Sequence, residues 1–268
     1  MAIVTNANIA TYENFVLENK MTNDINTHID VNALFTLDNS LEQSAGLIKY
    51  VNKYTYKGDV EELQQGAKNS ARGSVEIQTV PYEVKRYQHT FGYNDRDVMR
   101  DPYVLDVMTN GAAIVVADHI REQYFEELAK IPEDHTYEYT GDFGYTAVVD
   151  GLAKIGREVE SDQIIVLGLD MRAEVRKDPD FIASRMGEIL YTGQFGTICG
   201  VPVVCSKLVS DGLVYITAKD QIKLFVKKNG TVEQDRDIES KDNTVVYERH
   251  GVMALVDDTK SMRLRKKA

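Results

Sequence analysis

The chain has 268 residues and a mass of 30.2 kDa, with 43% hydrophobic and 27% charged residues. That composition excludes a largely disordered protein, and 5 prolines with 18 glycines exclude a collagen-like repeat. A net charge of −11 and a pI near 5.0 argue against a free-standing DNA-binding module, whose affinity comes from cations set against phosphates.

Residues 1–46 are polar, with six acidic residues against one lysine. Their apolar clusters, Phe15–Leu17, Val31 and Ala33–Phe35, bury too little to fold alone. Such an arm either stays disordered or gains order by lying on neighbours. Residues 47–93 read as extended. Ile48, Tyr50, Val51, Tyr54 and Tyr56 form one β-prone limb, and Val75, Ile77, Val80, Tyr82 and Val84 form the other. A polar stretch from Gly58 to Gly73 joins them, and Pro81 limits its limb to an edge or bulged strand. The expectation is one long β-hairpin with a mobile tip. An isolated ribbon is marginal in water, so it needs a surface to lie on.

Residues 101–131 carry the strongest helix signal. Asp101 suits the N-cap and Pro102 the first helical position. Val104, Met108, Ala112, Val115, His119 or Ile120, Tyr124, Leu128 and Ile131 recur at spacings of three and four, and Pro132 ends the run. At 1.5 Å per residue the helix is roughly 45 Å long and outruns any core a chain of this size can build around it. It reads as a spine exposed along much of its length.

Beyond Tyr145 helices and strands alternate. Val148, Leu152, Ile155 and Val159 mark an amphipathic helix, and Gln163–Leu167 a buried strand. Asp170 caps a helix through Lys177, residues 180–190 look helical again, and Val201–Cys205 and Leu213–Ile216 are strands. The last fifty residues are mostly strand: Ile222–Val226, Val232–Ile238, Val245–Arg249 and Val252–Val256. The class is α+β.

Motifs of chemistry are missing. Gly193, Gly196 and Gly200 lack the spacing of a dinucleotide turn, and there is no phosphate-binding lysine loop. Cys199 and Cys205 lack zinc-site spacing and read as buried free thiols of a reducing compartment. His28, His89, His119, His135 and His250 are scattered. With no nucleophile–base–orienter set, the reading is not an enzyme, with no catalytic residue, metal or cofactor. The uncharged run Ile189–Ser206 is too polar and turn-rich for a bilayer, and no secretory signal is evident at the N-terminus.

Charge is unevenly spread. Residues 49–90 carry seven cations against five acids, whereas the long helix carries six acids against two cations. The expectation is that the basic hairpin of one subunit lies over the acidic helix of the next. Lys53, Lys57, Lys68, Arg72 and Arg86 are the candidates on one side, and Glu122, Glu126 and Glu127 on the other. The basic tail Arg263–Lys267 reads as a nucleic-acid contact or a frayed terminus.

The order of arm, hairpin, spine helix, α/β unit and closing strands resembles tailed-phage major capsid proteins of the HK97-like fold. Gly193-Gln-Phe-Gly-Thr-Ile-Cys-Gly-Val-Pro-Val-Val204 is similar to that family's glycine-rich turn into a Val-Pro-Val strand. Glu233–Asp237 and Arg249–Asp257 resemble its closing segments. The resemblance implies an N-terminal arm at 1–46, an extended loop at 47–93, a peripheral domain at 94–140, an axial domain at 141–219, and C-terminal strands at 220–268 completing the peripheral domain. It further implies pentamers and hexamers in an icosahedral shell around double-stranded DNA, a separate scaffold protein, a portal, and assembly in the host cytoplasm. A hinge near Gly92 and Asn94 is expected to move as the shell expands. An encapsulin-like shell enclosing protein cargo is the alternative, against which stands the lack of an evident N-terminal cargo-cradling helix. A soluble α/β enzyme is the third reading.

Overall fold

A computed structural model describes residues 18–25, 34–63, 65, 68, 72–101, 103–156, 162–178 and 196–267. A two-stranded ribbon pairs β2 (Ile48–Lys57) with β3 (Ser74–Glu83). A four-stranded sheet has the order β1 (Thr36–Asp38), β10 (Ile222–Arg236), β11 (Asp242–Leu255), β4 (Lys85–Asn94). A six-stranded sheet has the order β5 (Thr136–Tyr139), β12 (Met262–Lys266), β9 (Leu213–Ala218), β6 (Gln163–Leu167), β8 (Val201–Cys205), β7 (Thr197–Ile198).

The hairpin expected over 47–93 divides. Residues 48–57 pair with 74–83, while β4 pairs antiparallel with β11 from Gly251↔Lys85 to Asp242↔Asn94. Tyr87 on β4 is buried, and Phe91 and Tyr93 pack against the main core. That side-chain row is long enough to need a sheet and a helix around it. Pro81 causes no bulge, since the ribbon register is unbroken.

The helix expected at 101–131 is one helix, α2 (Val104–Leu128), and a separate short helix, α1 (Asp95–Arg100), precedes it. Asn94 caps α1 by accepting from Arg96 N at 2.9 Å. Asp101 is therefore not the cap of the long helix. It closes α1, and its Oδ1 and backbone O accept from Tyr103 N and Val104 N across the break. Pro102 lies outside the described residues. The long helix lies on the four-stranded sheet through Ala112, Ala113, Val116, Ala117, Ile120, Tyr124 and Leu128. Val115, expected inside, is 53% exposed, because the buried stripe runs one residue further round the helix.

The arm does not wait for a neighbour along its whole length. Residues 18–25 are helical, and Met21, Ile25, Leu34 and Phe35 sit in the same core as the spine helix. Phe35 stacks on Tyr124 with ring centroids 5.7 Å apart.

A second core fills the six-stranded sheet. Every residue of β6 is buried. α3 (Tyr145–Ile155) lies on β12 and β9 at Gly151, where a Cβ would come within 2.7 Å of a Leu264 methyl. α4 (Leu169–Lys177) adds Met171 and Val175. The helix expected over 180–190 and the start of the glycine-rich turn lie outside the described residues. Residues 220–268 are shared between the sheets: β10 and β11 belong with the spine helix, whereas β12 runs between β5 and β9. The tail is thus a strand and not a frayed end. Arg263, Arg265 and Lys266 pair with Glu133, Glu138 and Asp142 at 2.8, 2.5 and 3.4 Å.

Candidate assembly interface

Alternation gives the ribbon two unlike faces. One carries Ile48, Tyr50, Asn52, Tyr54 and Tyr56 beside Val75, Ile77, Thr79 and Pro81. Its Ile48, Tyr50, Tyr54, Tyr56, Val75 and Ile77 are between 50% and 71% exposed. The other face carries Lys49, Val51, Lys53, Thr55 and Lys57 beside Ser74, Glu76, Gln78, Val80 and Tyr82. Only the base of this second face is seated. Val51, with Tyr82 and Val84, packs on Leu41, Phe225, Val252 and Ala254. Lys49 lies 4.5 Å from the Phe225 ring centroid, and Lys53 Nζ meets Asp258 Oδ2 at 2.7 Å. The ribbon is thus held at its root with its apolar face turned from its own subunit.

The chain enters the ribbon past Gly46, whose φ of +94° suits only glycine without strain, and leaves it at Val84, the residue between β3 and β4. These two points, and not Gly92 and Asn94, are where the ribbon joins the body. Gly92 and Asn94 lie inside β4 opposite Thr244 and Asp242, and the Asn94 amide donates to Ser240 O and Asp242 Oδ1.

The eight candidate interface residues have different surroundings. Lys53 is paired within its own subunit, as above. Lys57 pairs with Glu76 at 2.7 Å along the ribbon. Arg86 meets Glu248 at 2.8 Å, and His250 and Lys228 approach the same carboxylate at 2.6 and 3.8 Å. The His250 hydrogen bond, then the cations, hold the Glu248 carboxyl below its ordinary range. Lys68 and Arg72 are exposed near the ribbon tip. On the helix, Glu122 is exposed beside His119, and Glu126 is exposed. Glu127 is different: it is 8% exposed, and Oε1 accepts from Lys130 at 2.5 Å. The two adjacent glutamates point about 100° apart on the helix, so only one of them faces outward. The residues that the sequence did not single out are the tyrosines and aliphatics of the apolar ribbon face. Their alternation marks them as strand, and the structure leaves them exposed on both limbs.

Among the described residues, no group of three His, Cys, Asp or Glu side chains is placed to hold a metal ion, and no helix is long and apolar enough to cross a membrane. A groove beside the spine helix, about 530 Å³, is lined by Arg86, Tyr87, His89, Val115, His119 and Glu122. There Tyr87 donates to Gln123 Oε1 at 2.6 Å, and burial pushes its hydroxyl up to about 12, so it remains a neutral donor.

A family model described as phage capsid protein matches residues 76–263. No curated protein matches the chain significantly. Among solved structures, the capsid of cyanophage P-SCSP1u superposes with a TM-score of 0.70 at 10% identity, over 88% of this chain and 87% of that one. A chain of Mycobacterium phage Che8 gives 0.61 at 14%, over 85% and 88%. The SrpI encapsulin of Synechococcus elongatus also gives 0.61, at 12%, over 89% and 86%. The shared architecture is the HK97-like capsid fold.

Proposed function

From the premise that this chain belongs to the phage capsid protein family, and is a shell-forming structural protein of the virion capsid and not an enzyme, we propose how its copies meet. The apolar face of the ribbon of one subunit rests on the next subunit, and the exposed charges orient that contact. One observation carries this: six large apolar or aromatic side chains on a single ribbon face are left in water by their own subunit. A two-stranded ribbon in that state is marginal, and covering its face with a neighbour supplies the missing burial. Lys68, Arg72, Glu122 and Glu126 are exposed and steer the approach, whereas Lys53, Arg86 and Glu127 serve their own subunit.

The contact repeats around rings of five and six, and the rings close into an icosahedral shell. The shell encloses double-stranded DNA without reading its sequence, and draws on a separate scaffold protein and a portal during assembly in the host cytoplasm. Arg263, Arg265 and Lys266 are already ion-paired within the subunit, so a contact of the tail with DNA trades these pairs for phosphates.

The encapsulin-like reading gains one specific observation, the helix at 18–25 with Met21 and Ile25 in the core. Purified particles decide between the two. Nuclease-protected DNA in virions supports the first, and a co-purifying cargo protein with no nucleic acid supports the second. A lone 30 kDa species by size exclusion, with no particles by negative-stain microscopy, overturns both.

A further inference from the structure

The two long edges of the ribbon are unlike. In an antiparallel pair hydrogen bonding alternates, so every second residue turns its N–H and C=O outward. Val84 N donates to Leu47 O at 2.8 Å, and the register continues unbroken from Ile48↔Glu83 to Lys57↔Ser74. Tyr82/Lys49 and Val80/Val51 are therefore hydrogen-bonded pairs, while Pro81/Tyr50 and Thr79/Asn52 are not. Pro81 points its hydrogen-free nitrogen out of the ribbon. It costs the ribbon nothing and breaks the row of donors along the outer edge of β3. On β2 the outward residues are Ile48, Tyr50, Asn52, Tyr54 and Tyr56, none of them proline. Among the described residues no strand pairs with that edge. One edge is closed to strand addition and the other is open.

The open edge is complementary to itself. Laid antiparallel against a second copy about a two-fold axis at Asn52, Tyr50 meets Tyr54 and Ile48 meets Tyr56. Lys49 then faces Thr55, Lys53 faces Val51 and Lys57 faces Leu47. Centring the axis on Val51 sets Lys49 against Lys53, and centring it on Lys53 sets that lysine against itself, both unfavourable. Axes further along shorten the overlap. We propose that β2 pairs with β2 of a second copy about a two-fold axis through Asn52, making a four-stranded β3–β2–β2–β3 sheet. The inference rests on the shell reading above and deepens it by naming the edge through which two ribbons join. Both apolar faces then lie on the same side, as one continuous surface. Four strands with an apolar face hold a shape that two strands do not.

Asn52→Cys places two thiols on strands whose Cα atoms are about 5.5 Å apart, within disulfide reach. Thr79→Cys, on the same face but at the closed edge, is the control, as is the parent chain with its own Cys199 and Cys205. After copper-catalysed air oxidation of particles, Asn52→Cys is expected to give at least tenfold more disulfide dimer than either control on a non-reducing gel. Asn52→Pro and Thr79→Pro form a second pair. Both delete the 2.8 Å Asn52–Thr79 side-chain bond, and neither removes a backbone bond within the ribbon. Only Asn52→Pro removes a donor from the open edge, so it lowers particle yield tenfold or more while Thr79→Pro stays within twofold of the parent. Equal dimer from both cysteine variants, or equal yield from both proline variants, overturns the pairing and leaves the shell standing. A parent chain that forms no particles overturns both.

Discussion

β6 reads Gln-Ile-Ile-Val-Leu, and all of it is buried; β2 reads Ile-Lys-Tyr-Val-Asn-Lys-Tyr-Thr-Tyr-Lys, and only Val51 is. The two strands use similar apolar residue types. β6 has neighbours on both edges and a layer on each face, so its burial is complete within one chain. β2 has one neighbour and a root. The comparison teaches that this subunit completes the burial of one apolar strand and leaves another exposed. On the proposed ribbon contact, stability of the subunit and stability of the particle are encoded in different places.

The separation can be broken most severely from the folded side. Leu264→Ala removes a fully buried side chain from between Gly151 and Ile216, and is expected to cost about 3–4 kcal/mol of subunit stability in denaturant melts. A loss below about 1 kcal/mol would mean the six-stranded core is not packed as described. Glu127→Lys is next, at about 3 kcal/mol, because it strands a cation in a buried site beside Lys130. Glu126→Lys, one residue away, stays within about 0.5 kcal/mol. Similar losses from both would reverse the assignment of inner and outer glutamate.

Acid sharpens the comparison differently. Asp220, held by Lys260, and Glu248, held by His250, titrate below their ordinary values of 3.8 and 4.5. A lowered native value means stability that is present above the unfolded value and lost as pH falls through the native one. Unassembled subunits are therefore expected to lose thermal midpoint as pH drops below about 4.5, and an Asp220→Asn, Glu248→Gln variant to lose less of it. An unchanged acid slope in that variant would locate the acid sensitivity elsewhere. Smallest on the subunit, and largest on the particle, is Tyr54→Ser with Ile77→Ser. Both side chains are exposed, so the melt moves by less than about 0.5 kcal/mol. Particle yield is expected to fall at least tenfold; normal yield would remove the ribbon face from the assembly contact.

Much of this architecture was legible in the residues. The period-2 alternation of 48–57 and 74–83, the apolar spacing of the spine and the solid run of β6 identify their own structure. Partnership was not legible. Lys85–Asn94 alternates as well as the ribbon does, and alternation cannot say that its partner is β11, some 160 residues on. Arg263–Lys267 has too few apolar residues to read as a strand, since its place depends on Thr136–Tyr139 and Leu213–Ile216 arriving on either side. Summed charge suggested lysine-to-glutamate docking between subunits. It could not distinguish Lys53, bound to Asp258, from Lys68, which stands in solvent. The apolar ribbon face was visible as strand, but its exposure was not, because period-2 alternation does not say whether a face is covered.

The position of β12 has a consequence for the integrity of its sheet. It fills the slot between β5 and β9, and β5 pairs with no other described strand. Without β12 the six-stranded sheet is two separate pieces with raw edges. A variant that lacks Met262–Lys266 is therefore left with an unfinished body, whatever its ribbon can still do.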